Sequence, residues 1–116
     1  MHVLAHEKDF SPLYNRLKIE PQKNKSILNA LDGIKQQLEK SDRPLGIHHK
    51  HENIPTYYKT RYSLQTLYHF DMPADHRLMY TVRKSLSGGG KEALFLELLS
   101  HEQYNKRFGY FKRGSH

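Results

Sequence analysis

The sequence contains no cysteine. Disulfides and thiolate metal sites are therefore excluded, and the chain suits a reducing compartment. No apolar run approaches the roughly 20 residues that a membrane helix needs. The N-terminus also lacks the charged-then-apolar order of a secretory signal, so a cytoplasmic protein is expected. Hydrophobic residues are sparse at 36%, and the small core must draw on the 8 Tyr and 5 Phe. Acidic residues are few: 12 Asp and Glu stand against 19 Lys and Arg, for a net charge of +7. The first 42 residues are nearly balanced, so the excess lies in the middle of the chain and at its C-terminus. That skew suggests a polyanionic partner, either nucleic acid or an acidic protein segment. A length of 116 residues suits one domain, taken as 1–113. The ending resembles a vector remnant, and residues 114–116 are given no weight.

Hydrophobic periodicity supplies the element order. Residues 2–5, HVLA, read as a weak first strand. Ser11 as N-cap and Pro12 at the first helical position open a helix. The clearest helix follows, with Ile27, Leu31, Ile34 and Leu38 on one face. Gly33 lies inside it, which implies a packing reason for its cost. Residues 45–55 read as an irregular, His-rich loop. From Tyr57 onward, YYKTRYSLQTLYHF is dense in aromatic and β-branched residues and reads as strand, with an irregularity near Ser63. HRLMYTVRK alternates as a second strand, SLSGGG is a hairpin loop, and EALFLELL is apolar enough to be buried on both faces. SHEQYNKRFG reads as a closing helix, with Ser100 and Gln103 spaced as a capping box and Gly109 at its end. The expected class is α+β: two N-terminal helices on a small antiparallel sheet, with a short C-terminal helix.

Four stretches could carry chemistry. His101 opens the last helix, where free backbone N–H groups favour an anion, and an imidazole beside a phosphate suits general acid–base work. Tyr104 lies one turn further on. Arg77 sits on the strand face opposite Leu78 and Tyr80, and its fork matches two phosphate oxygens. Lys59, Arg61, His69 and Arg83 could extend a basic strip, and Asp71 or Asp75 could orient a histidine. The HHKH run, His48, His49, Lys50 and His51, has no recognised zinc spacing and reads as a basic loop that meets RNA. Glu52 beside it could serve as a base. The run SGGGKE fails the phosphate-loop pattern, because it joins two strands and Glu92 stands where Ser or Thr is needed. No metal and no cofactor is expected.

Residues 76–110, with HRLMYTV, the apolar strand ALFLELL and the closing SHEQYNKRFGY, resemble the RelE/ParE superfamily of toxins from toxin–antitoxin pairs. The resemblance implies a ribosome-dependent, metal-independent endoribonuclease, an mRNA interferase. In such enzymes the ribose 2′-OH attacks the adjacent phosphate in the ribosomal A site, leaving a 2′,3′-cyclic phosphate. The HRLMY stretch is similar to the YoeB branch, whose phosphate-stabilising arginine carries over to Arg77. The family's histidine at the end of the last strand carries over to His101, and its closing tyrosine to Tyr104. Asp75, and His69 with two extra residues allowed, match the histidine and aspartate of the YafQ branch. Glu52 loosely matches the YoeB glutamate base. The lysine pair of RelE itself is absent, with Tyr68 and Phe70 standing in its place. A cognate antitoxin, mRNA and the 30S subunit are the implied partners, with the protein a monomer or part of a toxin–antitoxin hetero-oligomer. The alternatives are a non-catalytic protein of the same fold (a ParE-like gyrase inhibitor or a binder of antitoxin alone) and an unrelated basic RNA-binding domain.

Overall fold

A computed structural model describes residues 1–86 and 88–109; the vector-like ending at 114–116 lies outside the described residues. The strands are β1 (His2–Ala5), β2 (Ile47–His49), β3 (Leu67–Met72), β4 (His76–Lys84) and β5 (Lys91–Ser100). The helices are α1 (Ser11–Ile19), α2 (Lys25–Glu39), α3 (Thr56–Tyr62) and α4 (His101–Phe108), with a 3₁₀ turn at His51–Asn53. The class is α+β, as expected. The sheet is mixed, however: its order is β1-β5-β4-β3-β2, β1 runs parallel to β5, and the other neighbours are antiparallel. The expected purely antiparallel sheet is corrected on that point. A crossover through α1 and α2 returns the chain to the far side of the sheet, so β1 meets the last strand in parallel.

Alternation along the strands sends two sets of side chains to opposite faces. Leu78, Tyr80, Ala93 and Phe95 pack against Phe10, Leu31, Ile34 and Leu38 beneath α1 and α2. Leu67, Met79, Leu94, Leu96 and Leu99 pack against Ile54, Tyr58 and Tyr104 beneath α3 and α4. Leu38, Tyr58, Leu67, Leu78, Met79 and Leu96 are wholly buried, each contributing about 1.5–3 kcal/mol. The sheet face opposite α1 and α2 therefore carries a second helical layer. β5 is buried on both faces, as its apolar run predicts. Its register shifts opposite Met79 and Tyr80, so Leu96 and Glu97 share the α3–α4 side.

The largest correction falls on residues 57–62, which form α3 and not strand. Ile54, Tyr58 and Tyr62 stand four apart, and the rings of Tyr58 and Tyr62 stack at 6.1 Å. Packing of that stripe on the sheet outweighs the β-propensity of its tyrosines and threonines. The irregularity expected near Ser63 is the helix end, where Ser63 adopts the left-handed conformation at φ 51°. The His-rich loop also hides a strand, since β2 pairs with β3 along Ile47–His49. Gly46, with φ 84°, makes that approach possible: a Cβ there would stand 2.5 Å from the His69 carbonyl oxygen. Tyr80 holds the same segment by donating to the Leu45 carbonyl at 2.5 Å and accepting from the Leu45 N–H at 2.9 Å.

α1 begins one residue earlier than expected, at Ser11, with Phe10 as the capping position and no side-chain cap. α4 carries the expected capping box between Ser100 and Gln103, and Gly109 ends it at φ 73°. Gly33 has no packing role, because nothing lies within 4 Å of where its Cβ would stand. Gly33→Ala is expected to stabilise the fold by about 1 kcal/mol, raising the midpoint of thermal unfolding by about 4 °C. A lowered midpoint in calorimetry would contradict the open space at this position. No described helix is long and apolar enough to cross a membrane.

Candidate active site

Four elements bring their side chains together at the β2–β3–β4 edge of the sheet, beneath α4. β3 alternation puts His69 and Asp71 on one side. The β2–β3 register places His49 on that side as well. His49 Nε2 lies 2.8 Å from His69 Nδ1. His69 Nε2 lies 3.3 Å from Asp71 Oδ1, and Arg77 Nε lies 3.4 Å from the same oxygen. Register explains the last contact, because Asp71 and Arg77 are direct cross-strand partners. Tyr104 closes the group from α4. Its ring lies 5.4 Å from that of His69 in an edge arrangement and 5.1 Å from the Arg77 guanidinium carbon. Phe108 stacks on Tyr104 at 4.5 Å and meets the His49 ring at 4.9 Å.

The contacts order the protons. The Asp71 carboxylate accepts from His69 Nε2–H. A neutral His69 then offers Nδ1 as an acceptor, and His49 Nε2–H donates to it. His49 Nδ1 is left as the basic nitrogen at the end of the chain. Burial, with the neighbouring His69 and His48 imidazoles, pushes His49 down from its ordinary 6.5 to about 4. Burial also lowers His69; Asp71 opposes that shift and Arg77 adds to it. Both rings are thus neutral near pH 7. His69 is 6% exposed in its side chain, Arg77 20% and Asp71 67%. A solute therefore meets Asp71, Arg77 and the half-buried His49, and His69 acts from behind them. The group can offer an unprotonated imidazole and a guanidinium fork to one anionic ligand.

The other candidate residues lie outside this network of contacts. His101 stands at the first position of α4, exposed, with Asn105 Nδ2 3.2 Å from its Nε2. It precedes Tyr104 by three residues on the same helix. Asp75 is exposed in the β3–β4 turn at φ 58°, and the carboxylate in contact with His69 is that of Asp71. Glu52 and His51 are exposed on the 3₁₀ turn, and Lys50 is exposed just before it. His48 is exposed and turns to the opposite side of β2, where its ring meets Tyr68 at 4.9 Å.

The expected basic strip does not form along one strand. Lys59 and Arg61 lie on α3. Arg61 grips Asp9 at 2.5 and 2.6 Å, and Tyr62 O–H donates to the same carboxylate at 2.5 Å. These bonds hold the Asp9 carboxyl well below the usual range despite its partial burial. Arg83 lies six residues along β4 from Arg77, a distance of about 20 Å, and pairs at 2.6 Å with Glu92, which is 2% exposed. Arg61 and Arg83 are thus each paired with a carboxylate, Asp9 and Glu92. Among the described residues, no group of three or more His, Asp and Glu side chains is arranged to hold a metal ion.

The place of His49 escapes sequence reasoning, because nothing local reveals that its loop pairs with β3. Asp71 is in view as an orienting carboxylate, and its two-residue spacing from His69 is the signal for a shared face. Comparison with known proteins finds no matching family model, no matching curated protein and no matching solved structure.

Proposed function

We propose that the protein is an RNA-cleaving toxin of RelE/ParE type, acting on mRNA at the ribosomal A site without metal and restrained by a cognate antitoxin in the cytoplasm. The observation that carries this reading is the linked chain His49–His69–Asp71 beside Arg77 and Tyr104. It joins a neutral base to an anion clamp, the two groups that cleavage by a neighbouring hydroxyl requires. The basic charge also supports it.

Arg77 binds the non-bridging oxygens of the scissile phosphate. His49 Nδ1 takes the proton of the ribose 2′-OH as its oxygen attacks phosphorus. The positive charge formed on His49 is shared through His69 toward Asp71, which replaces Asp75 as the orienting carboxylate. The bond to the 5′-oxygen breaks, and that oxygen takes a proton from His101. The products are a 2′,3′-cyclic phosphate and a 5′-hydroxyl. Tyr104 holds Arg77 and His69 in place through its ring. Glu52 has no part in this sequence.

Induced expression followed by mapping of mRNA ends tests the reading. Cuts in codon register are expected from the parent protein, and none from the double variant with Arg77→Ala and His101→Ala. Growth arrest with supercoiling defects and no cuts would favour a gyrase inhibitor instead. Undiminished cleavage by the double variant would overturn the mechanism.

A further inference from the structure

On the outer side of α3 and α4 lies an open cleft of about 370 Å³, lined by Tyr57, Gln103, Lys106 and Arg107. Tyr57, on α3, is 39% exposed. The Arg107 guanidinium carbon lies 3.6 Å from the centre of its ring, so a planar cation lies against an aromatic face at the protein surface. Arg107 is held there from beneath. Its Nη2 lies 3.1 Å from Glu97 Oε2, and Glu97 Oε1 accepts from Tyr58 O–H at 2.8 Å. Glu97 occupies the β5 irregularity, which turns its carboxylate to the α3–α4 side. The tyrosine–guanidinium pair is therefore pre-positioned by a partly buried network. Lys106 contributes a cation whose pairing with Glu102, at 3.6 Å, is solvent-exposed and weak. Gln103 contributes an amide that can read a base edge; its side-chain oxygen also accepts from the Ser100 N–H.

We propose that this face is a stacking subsite for one unpaired nucleobase of single-stranded RNA. Unpaired bases are recognised by stacking on aromatic rings and arginine planes, with polar groups at their edges. The four lining residues supply that set. Arg107 follows Tyr104 by three positions on α4, so the subsite lies about one helical turn from the ring that holds Arg77. A strand whose phosphate sits on Arg77 would lay a flanking base on Tyr57. The larger cleft edged by Arg61 and Arg83 is a poorer candidate, since Asp9 and Glu92 neutralise both guanidinium groups.

The inference rests on the RNA-directed reading above, and the experiment separates the two. Binding of a fluorescent single-stranded RNA 12-mer is measured for the parent, Tyr57→Ala, Tyr57→Leu and Tyr57→Phe, with each variant's thermal midpoint checked. Tyr57→Ala and Tyr57→Leu are expected to weaken binding roughly 5- to 100-fold, and Tyr57→Phe less than about threefold, because stacking needs the ring and not the hydroxyl. Removing one base from the RNA should abolish the difference between parent and Tyr57→Leu. Equal binding by Tyr57→Leu and the parent would overturn the subsite, whatever happens to cleavage. Ring-dependent binding without mRNA cuts would keep the subsite and reject the nuclease. RNA binding by none of the proteins would reject the subsite, and the mapping of mRNA ends would still decide the nuclease.

Discussion

Arg77→Ala is expected to lower kcat/KM for mRNA cleavage by about 10²- to 10³-fold, the loss found when one preorganised donor to a developing oxyanion is removed. Arg77 is suited to that role by its neighbours. Asp71 holds its Nε and Tyr104 lies against its guanidinium plane, so the fork is aimed before substrate arrives. Arg77→Lys retains charge and loses the fork, the stacking and the rigid aim. It should recover only part of the rate. Toeprinting on programmed ribosomes gives the rate for each variant. Full activity in the lysine variant would mean that charge alone suffices, and full activity in the alanine variant would remove Arg77 from the chemistry. Thermal midpoints should change little, since the Asp71 partner is 67% exposed and solvent weakens the pair.

His49→Ala is expected to cost about 10²- to 10⁴-fold in kcat, the range for loss of a general base. The pH profile is the sharper readout. His49 is pushed down to about 4, so it stays neutral across physiological pH. The acidic limb of kcat/KM should therefore fall near pH 4, not near the ordinary imidazole value. In His49→Ala that limb should disappear along with the rate. An acidic limb near 6.5 in the parent would assign the base to a more exposed group. The same shift affects stability, with a definite sign. The unfolded ring takes a proton near its ordinary 6.5 and the folded ring only near 4. The stabilising effect of the neutral ring is fully present above pH 6.5 and is lost as the pH falls toward 4. Thermal unfolding across that window should show a falling midpoint, and a flatter fall in His49→Ala.

Arg77 and His49 differ in how far the local sequence places them. Arg77 was legible because HRLMYTV alternates cleanly, and the opposite face was already claimed by Leu78 and Tyr80. His49 was not, because a three-residue edge strand carries almost no periodic signal, and its pairing with β3 is a contact between residues 20 apart in the chain. Asp71 and Asp75 were indistinguishable as candidates until the hairpin was known. The turn leaves Asp75 at a positive φ in solvent, and the register sets Asp71 opposite Arg77.

By itself, the sequence determined features that depend on neighbours within a turn or two of chain: the apolar stripe of α2, the capping box and terminal glycine of α4, the hairpin before β5 and the two-sided burial of β5. Their signals are local, so composition and spacing suffice to read them. Tertiary structure alone decided that residues 57–62 coil into α3, that β1 runs parallel beside β5, that helices cover both faces, and that His49, His69, Asp71, Arg77 and Tyr104 meet. Each of these depends on contacts between segments distant in the chain. For α3, burying Tyr58 and Tyr62 against the sheet outweighs a local preference for strand worth at most about 1 kcal/mol per residue. For the site, no residue's chemistry reveals its partners until the register of β2, β3 and β4 brings them within hydrogen-bond and ion-pair reach.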